Sequence, residues 1–556
     1  MDNNTTFTAL DTLFAEFICE LANDKALFMP AALASKHVCE GHSCTDLTEV
    51  SEWLSILKGS DVVGNGGDYK PLIIENNRLY LQKYWQYETT LADAIKKMIN
   101  HNVGMDITEA QKGLLGILFD DDCQKASVEN SIRNNFSIIS GGPGTGKTTT
   151  IAKLLYILFS RNYDLNIAVC APTGKASARI SESITRSIEQ IKKGFIKNHK
   201  EELIDEKVMQ KIVGLKGQTI HRLISERQFV DPLSSSNKLD EKIGFDILVV
   251  DEASMIDLTI MSKLISWAKT CTKVIIIGDK DQLFSVDSGS VMNELCNCDK
   301  LKNNTTVLTK SWRFEKKHGI GELSKSINSA APIEQIVSLF KTYTEEQGIL
   351  YSDHDSVKKL YETIKPDVIR IYGKISTASS PEEALSYYES LRILCAVKQG
   401  PFGVYEINKM VEHILEQEGT INTTFNEWYN GRPIMITKND VGYGLFNGDS
   451  GIIYKGKAYF KLASHEKIKD FIPTLLPEHE TSYAVTVHKS QGSEFDKVFI
   501  VLPQEDNRIL SRQLIYTAVT RAKECAHLIA PTEVFRIACT RSVTRRSGLA
   551  EKINTN

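Results

Sequence analysis

Long apolar segments are absent from this 556-residue sequence. No stretch approaches the roughly 18 consecutive apolar residues that a membrane-spanning helix needs. The first residues, MDNNTTFTAL, contain neither a basic residue nor an apolar run followed by a small-residue cleavage site. We therefore expect a cytoplasmic protein that has no contact with a membrane.

An excess of basic residues is also missing. The chain has 66 lysines and arginines against 70 aspartates and glutamates, which gives a formal net charge of -4. Such a balance creates no overall field that attracts a polyanion, so any nucleic acid must bind in a local groove. Composition alone does not point to DNA.

The eleven cysteines lack the short regular spacings of a disulfide framework. The densest group, KHVCEGHSC, contains His37, Cys39, His42 and Cys44, which are possible metal ligands. No second pair of ligands with finger spacing follows it. We therefore interpret these four residues as packing residues of a small domain.

Short, continuous apolar runs dominate two parts of the chain. Runs of this kind are typical of strands that are buried on both faces of a parallel sheet and joined by crossover helices. Their positions predict two α/β domains in tandem. The first set of runs lies at 136–140, 166–172, 245–252 and 273–279, and the second at 392–397, 483–487, 497–503 and 526–531.

A chain of this length exceeds one hydrophobic core, and we expect three domains. The N-terminal domain should be small and α+β, with a β-hairpin turning at Asn76-Asn77. Polar and glycine-rich segments predict a surface insertion in the first α/β domain and a small, barrel-like β insertion in the second. The predicted domains are 1–105, 106–325 with its insertion at about 222–245, and 326–556 with its insertion at about 430–475.

The segment GGPGTGKT matches the P-loop pattern G-x-x-x-x-G-K-[ST] and stands between a predicted strand and a predicted helix. Its glycines let backbone N–H groups surround phosphate oxygens, and the helix N-terminus favours an anion. Lys147 supplies charge for the phosphates of ATP, and Thr148 supplies a hydroxyl for Mg²⁺. The predicted nucleotide-binding residues are Gly141, Gly142, Pro143, Gly144, Thr145, Gly146, Lys147, Thr148 and Thr149.

Five further side chains complete a catalytic set for ATP hydrolysis. In ILVVDEAS, Asp251 should hold Mg²⁺ and Glu252 should act as the base for the attacking water. Gln282, in GDKDQL, should contact the γ-phosphate. Arg521 in YTAVTRAK and Arg313 in KSWRF are candidates for an arginine that stabilises charge on the transferred phosphoryl group.

The ordered motifs resemble those of superfamily 1 helicases and, more narrowly, those of the RecD family, the alpha chain of exodeoxyribonuclease V. The narrower resemblance depends on ILCAVKQGPFGVYEIN, GRPIMITKNDVGYGLFNGDSGI and TRRSGLA. The motifs shared with the superfamily are GGPGTGKTTT, APTGKA, TIHRL, VVDEASM, GDKDQL, LTKSWRF, YAVTVHKSQGSEF and YTAVTRAK.

This resemblance implies two RecA-like P-loop domains and a 5′-to-3′ DNA helicase that acts on single-stranded and double-stranded DNA ends. It also implies a heterotrimer with the RecB and RecC chains, in double-strand break repair and homologous recombination. The N-terminal module would dock on RecC. Gln124 matches a glutamine that reads adenine, although Cys123 stands where the family has an aromatic residue.

Movement along a strand requires residues that hold DNA differently in the closed and open states of the two domains. Hydroxyls, backbone N–H groups and a few cations suit contacts with phosphate that are independent of sequence. We expect Glu494 to couple these contacts to the nucleotide. The predicted DNA-binding residues are Pro172, Thr173, Lys175 and His221 in the first domain and Asn447, Thr486 and His488 in the second.

Three other functions fit parts of the sequence. An RNA helicase of the same superfamily would use the same phosphate contacts. A structural subunit could bind ATP without translocating, although every expected catalytic group is present. A small-molecule kinase would not need the second α/β domain. No cluster outside the ATPase motifs resembles a two-metal nuclease site, so we expect the partner chain to carry the nuclease activity.

Overall fold

The structure is a computed structural model, and the ranges that it describes include every predicted site residue. None of the helices in these ranges is long and apolar enough to cross a bilayer. Most of the insertion predicted at 222–245 lies outside the described residues. The described ranges are 6–101, 106–225, 244–268, 271–285, 287–315, 317–354, 356–423, 427–440, 442–462 and 468–555.

A small α+β module forms the N-terminus. The predicted hairpin is present, because Asn76 and Asn77 both adopt positive φ (48° and 57°), as a tight two-residue turn requires. Leu79 and Trp85 of this region are buried, so the hairpin packs internally. The elements are α1 (Ala9–Ala22), α2 (Phe28–Cys39), β1 (Thr45–Asp46), α3 (Glu52–Lys58), β2 (Val63–Gly64), β3 (Leu72–Glu75), β4 (Arg78–Leu81) and α4 (Gln82–Asn100).

The histidines considered as metal ligands have hydrogen-bond partners within the protein. His37 Nδ1 lies 2.9 Å from Thr45 Oγ1, and His42 Nδ1 accepts from the backbone N–H of Arg546 at 2.9 Å. Among the described residues, no group of three or more His, Cys, Asp or Glu could hold a metal ion. The packing interpretation fits Cys44, which is buried, but not Cys39, which is exposed.

The first lobe contains a parallel sheet of six strands in the order β10-β5-β9-β8-β6-β7. Its four inner strands are the four that were predicted, whereas the short edge strands β7 and β10 were not. The elements are α5 (Glu109–Leu118), α6 (Asp122–Arg133), β5 (Phe136–Gly141), α7 (Lys147–Arg161), β6 (Ile167–Ala171), α8 (Gly174–Lys197), α9 (Glu206–Val213), β7 (Gln218–Thr219), α10 (Ile220–Ser225), β8 (Ile247–Val250), α11 (Leu258–Trp267), β9 (Lys273–Gly278), α12 (Val291–Asn297) and β10 (Thr305–Leu308).

The second lobe contains a parallel sheet of five strands, whose order is β11 (Ile349–Ser352), β20 (Ala522–Ile529), β19 (Phe495–Val501), β12 (Leu391–Cys395) and β18 (Ala484–Thr486). Four of these strands were predicted, and β11 was not. The elements up to the β insertion are α13 (His318–Asn328), α14 (Ile333–Thr342), β11 (Ile349–Ser352), α15 (Val357–Ile371), α16 (Pro381–Ser390), β12 (Leu391–Cys395) and α17 (Val404–Gln417).

The predicted β insertion is a separate antiparallel sheet in the order β16-β15-β14-β13-β17. Its strands are β13 (Pro433–Ile436), β14 (Ser450–Tyr454), β15 (Lys457–Phe460), β16 (Lys469–Phe471) and β17 (His479–Thr481). The chain then completes the second lobe with β18 (Ala484–Thr486), β19 (Phe495–Val501), α18 (Arg512–Val519), β20 (Ala522–Ile529) and α19 (Thr532–Thr540).

The helix α20 (Leu549–Asn554) packs on α4 and α12. Leu549 and Ile553 are fully buried in the same core as α4 and one face of the first-lobe sheet. Conversely, α13 contributes Ile320 and Leu323 to the core of the second lobe. The packing units therefore differ from the sequence ranges 1–105, 106–325 and 326–556, because the chain returns to the first lobe at its end.

A buried carboxylate joins the C-terminal segment to the N-terminal module. Glu88 of α4 accepts hydrogen bonds from Ser43 Oγ at 2.6 Å, Ser547 Oγ at 2.7 Å and Gly548 N at 3.2 Å. Burial raises the pKa of Glu88. Burial and the nearby Glu88 also raise the pKa of Glu294 to about 7.

We expect Glu294→Gln to stabilise the protein at pH 8. The folded pKa of Glu294, about 7, exceeds the ordinary value of 4.5, so the folded state binds an extra proton between these values. The free energy of unfolding therefore falls as pH rises through this window. The neutral amide should raise it by about 1–2 kcal/mol at pH 8, after allowance for partial exposure, and by less at pH 5.

Urea unfolding of the variant and the parent at pH 5 and pH 8 measures this difference. Glu533→Gln, at an exposed position of α19, is the control and should change neither midpoint. Equal effects of Glu294→Gln at the two pH values would contradict the expectation.

Candidate active site between the two lobes

The P-loop joins β5 to α7 at the carboxyl end of the first sheet. Gly144 and Gly146 have φ of 77° and 83°, a left-handed conformation that favours glycine. Thr145 Oγ1 donates to Gly142 O at 2.9 Å and so closes the loop upon itself. Because α7 starts at Lys147, the positive end of its dipole faces the loop and favours a phosphate there.

The lysine of the loop is held by backbone carbonyls. Lys147 Nζ donates to Gly141 O at 2.6 Å and to Gly142 O at 3.1 Å. A bound phosphate would offer this ammonium group a charged acceptor in place of neutral ones, and charge-assisted hydrogen bonds are about twice as strong as neutral ones.

Two carboxylates follow β8 directly. Asp251 is buried, and its Oδ1 accepts from the backbone N–H of Glu252 at 2.8 Å. Burial and the charge of Glu252 raise the pKa of Asp251 to about 6, whereas Lys147 and Arg179 act in the opposite direction. Glu252 itself has a positive φ of 52°. This local turn lets two consecutive acidic residues line the same cleft.

Gln282 is held by a contact that crosses between the lobes. Its Nε2 donates to Asp279 Oδ2 at 3.0 Å, and the hydroxyl of Tyr516, on α18 of the second lobe, donates to the same oxygen at 3.0 Å. All three side chains are buried. Sequence reasoning found Gln282 but missed its partner Asp279 and the contact of Asp279 with Tyr516.

Three arginines surround one glutamate of the second lobe. Arg313 Nη2 donates to Glu494 Oε1 at 2.6 Å, and Arg179 of α8 forms an ion pair with the same oxygen. Burial alone would raise the pKa of Glu494, but Arg179 and Arg313 hold it at about 2. Arg521 is 3% exposed, and its guanidinium donates to Thr517 O at 3.1 Å and Ser493 O at 3.3 Å.

Arg179 was missed by sequence reasoning. Its position on the helix that follows APTGKA was the available signal, because that helix starts at the carboxyl end of β6, where ligands bind in α/β sheets. Trp312 was also missed. It is 41% exposed, and its backbone N–H donates to Gly144 O at 2.9 Å, beside the P-loop.

These groups line one cleft of about 290 Å³ between the lobes. Of the predicted residues, those from the first lobe that line it are Pro143, Gly144, Gly146, Lys147, Thr148, Thr149, Asp251, Glu252, Gln282 and Arg313, and the one from the second lobe is Arg521. Gln124 lies behind the loop, where its Nε2 donates to Thr145 O at 2.9 Å.

The predicted DNA-binding residues lie at the carboxyl ends of other strands. Pro172, Thr173 and Lys175 follow β6, and Gly174 lies against the ring of Phe446, next to Asn447 of the β insertion. The structure therefore brings the first-lobe loop and the insertion together. His221 is exposed on α10, and Thr486 and His488 lie at the end of β18. Burial and Arg545 lower the pKa of His488.

Comparisons with known proteins agree with this arrangement. A family model described as the RecBCD enzyme subunit RecD N-terminal domain matches residues 3–52, an AAA domain model matches 124–288, and a UvrD-like helicase C-terminal domain model matches 481–529. The RecBCD enzyme subunit RecD of Mycolicibacterium smegmatis is 31% identical over 95% of this chain and 94% of that protein. This chain belongs to the RecD family.

Two other helicases are less similar to this chain. The ATP-dependent RecD2 DNA helicase of Deinococcus radiodurans is 25% identical over 98% of this chain and 69% of that protein. A crystal structure of Bacteroides Pif1 bound to single-stranded DNA covers 77% of this chain and 92% of that one, with 17% identity and a TM-score of 0.38. The RecD assignment that the motifs predicted is confirmed, and so is the α/β fold with two lobes.

Proposed function

We propose that this RecD-family chain is the ATP-driven 5′-to-3′ DNA helicase subunit of a RecBCD-type exodeoxyribonuclease V. It acts with RecB and RecC on DNA ends in double-strand break repair and homologous recombination. One observation carries the proposal: a single cleft contains Lys147, Asp251 and Glu252 of one lobe and Arg521 of the other. ATP bound there would contact both lobes, so its hydrolysis would change their separation.

ATP is the nucleotide, and Mg²⁺ is its metal ion. Thr148 and Asp251 both line the cleft and offer hydroxyl and carboxylate oxygens, which are the donors that Mg²⁺ prefers. When bound, the ion neutralises charge on the β- and γ-phosphates. Glu252 accepts the proton of the attacking water, and Lys147 contacts the phosphates. We expect the adenine to bind beside Gly146, where the side chains of Gln124 and Trp312 lie close to the P-loop.

Glu494 links the nucleotide to the DNA contacts. Its carboxylate forms ion pairs with Arg179 and Arg313, which line the cleft. A γ-phosphate competes for these guanidinium groups and frees the loop that carries Glu494. That loop continues from Thr486 and His488, so loss of phosphate alters the grip on the strand. The hydrolysis cycle thereby becomes directional movement.

The α1 helix offers a surface for RecC. Its side chains Leu10, Leu13, Phe17 and Leu21 recur at helical spacing and are 63%, 63%, 57% and 54% exposed. A row of large apolar side chains on one helix face is typical of a protein-binding surface. The matched RecD N-terminal domain model covers this helix, and we therefore propose that the row docks on RecC.

We expect Phe17→Asp to weaken assembly with RecC by about 30-fold or more, because a charge would replace an aromatic anchor in a buried contact. Affinity measured by titrating the purified partner tests this expectation. Tyr69→Asp, at a 95% exposed position of the same module outside the row, is the matched control and should assemble normally. Normal assembly of the Phe17 variant would remove the row from the interface.

A polarity assay tests the function itself. The chain is purified with and without RecB and RecC, and ATP hydrolysis is measured with single-stranded DNA or RNA of the same sequence. Unwinding is measured on duplexes with a 5′ or a 3′ overhang, with the partner chains alone as the control. We expect stimulation by DNA and added unwinding from the 5′ overhang. Equal stimulation by RNA would favour the RNA helicase, and binding of ATP without DNA-stimulated hydrolysis would favour the structural subunit.

A further inference from the structure

The α18 helix of the second lobe holds the loop that contains Gln282. Tyr516 donates its hydroxyl to Asp279 at 3.0 Å, and the next residue, Thr517, accepts from the backbone N–H of Leu283 at 3.0 Å. Gln491, also from the second lobe, donates to Leu283 O at 3.2 Å. Three hydrogen bonds thus fix a first-lobe loop to the opposite lobe.

The same helix determines where Arg521 lies. Arg521 Nε donates to Thr517 O at 3.1 Å, and Thr517 is the same residue whose hydroxyl accepts from Leu283. Arg521 and Gln282 line the same cleft. A shift of α18 would therefore move Arg521 and the loop that contains Gln282 together.

The contact with Asp279 also selects the orientation of the Gln282 amide. Asp279 Oδ2 accepts hydrogen bonds from both Gln282 Nε2 and the Tyr516 hydroxyl, so the NH₂ group of Gln282 faces Asp279. The carbonyl oxygen is then left for the cleft. The carbonyl oxygen can accept a hydrogen bond from a water molecule there, whereas the NH₂ group of a reversed amide could only donate one.

We propose that Tyr516 is a positioning residue for ATP hydrolysis, which acts through Asp279 on the orientation of Gln282. This role of Tyr516 rests on the proposed function, because it requires that Gln282 faces the water or the γ-phosphate of bound ATP. Tyr516 lies at the P-loop as well, since a side chain on Gly142 would meet its hydroxyl at 2.8 Å. The position of Gln282 therefore depends, through this hydroxyl, on how closely the second lobe approaches the first.

The test compares Tyr516→Phe with the parent chain in its complex, using DNA-stimulated ATP hydrolysis. Loss of one buried hydrogen bond that acts in the transition state should lower kcat by about tenfold, with KM for ATP changed less than twofold. Tyr388→Phe is the matched control, because Tyr388 is also a buried second-lobe tyrosine whose hydroxyl contacts Ser482 away from the cleft. It should keep the parental kcat.

A double variant separates positioning from a general loss of structure. In a Gln282→Ala background, Tyr516→Phe should cause no further fall in kcat. An equal further fall, or a parental kcat for Tyr516→Phe alone, would overturn the proposal. If Tyr516→Phe does not fold, Thr517→Val is used instead, because it removes the hydrogen bond from Leu283 N that holds the same loop. This variant must also lower kcat while KM for ATP changes less than twofold. A parent complex that lacks DNA-stimulated hydrolysis would instead refute the proposed function.

Discussion

Replacing Arg521 by alanine should lower the rate of DNA-stimulated ATP hydrolysis by about 10³-fold or more, which is the effect of arginines that stabilise phosphoryl transfer. The residue is nearly buried at the interface, and it is the predicted catalytic group that the second lobe contributes to the cleft. Arg521→Lys should restore little, because an ammonium group lacks the planar fork of a guanidinium.

The measurement is kcat at saturating single-stranded DNA, with binding of a non-hydrolysable ATP analogue as a second readout. Arg512→Ala, at the start of the helix that precedes Arg521 but outside the nucleotide cleft, is the matched control and should stay close to parental activity. If Arg521→Ala hydrolysed ATP at the parental rate, the two lobes would not share the nucleotide.

The second large effect is expected from Lys147→Gln in the assembled complex. The substitution removes the positive charge that the P-loop offers to the phosphates, and we expect DNA-stimulated hydrolysis to fall by about 10³-fold. Unwinding from a 5′ overhang should disappear with it. Lys153→Gln, two turns along α7 with its ammonium group 4.5 Å from the ring centre of Phe119, should retain both activities.

This result decides between a motor and a structural subunit. A complex that still unwinds DNA from the 5′ overhang with Lys147→Gln would show that the bound nucleotide only stabilises the assembly. The interlobe position of the cleft favours the motor, because a purely structural nucleotide would not need both Glu252 and Arg521 beside it.

The sequence was most informative where function depends on neighbouring residues. The P-loop, the Asp251–Glu252 pair and the inner strands were predicted because a glycine-rich turn and a continuous apolar run each leave a local pattern. The edge strands β7 and β10 were missed. β7 has only two residues, and in β10 only the last of four residues is buried, so neither forms a continuous apolar run.

Contacts between distant segments were not predictable in the same way. The pair Tyr516–Asp279 joins residues 237 positions apart, and the ion pair of Arg179 with Glu494 spans the interface of the lobes. Apart from its position on the helix that follows APTGKA, nothing in the local pattern around Arg179 distinguishes it from a surface charge on an amphipathic helix. Such partners emerge only from the relative placement of the two sheets.

The return of α20 to the first lobe has a consequence for biosynthesis. The ribosome adds Leu549 and Ile553 after the whole second lobe, yet both side chains fill the core beside α4 and the first sheet. The nucleotide-binding lobe therefore cannot complete this core until the chain has been synthesised beyond Ile553. A premature stop codon a few positions before residue 549 would leave the core of the first lobe incomplete, although that lobe is translated before the second.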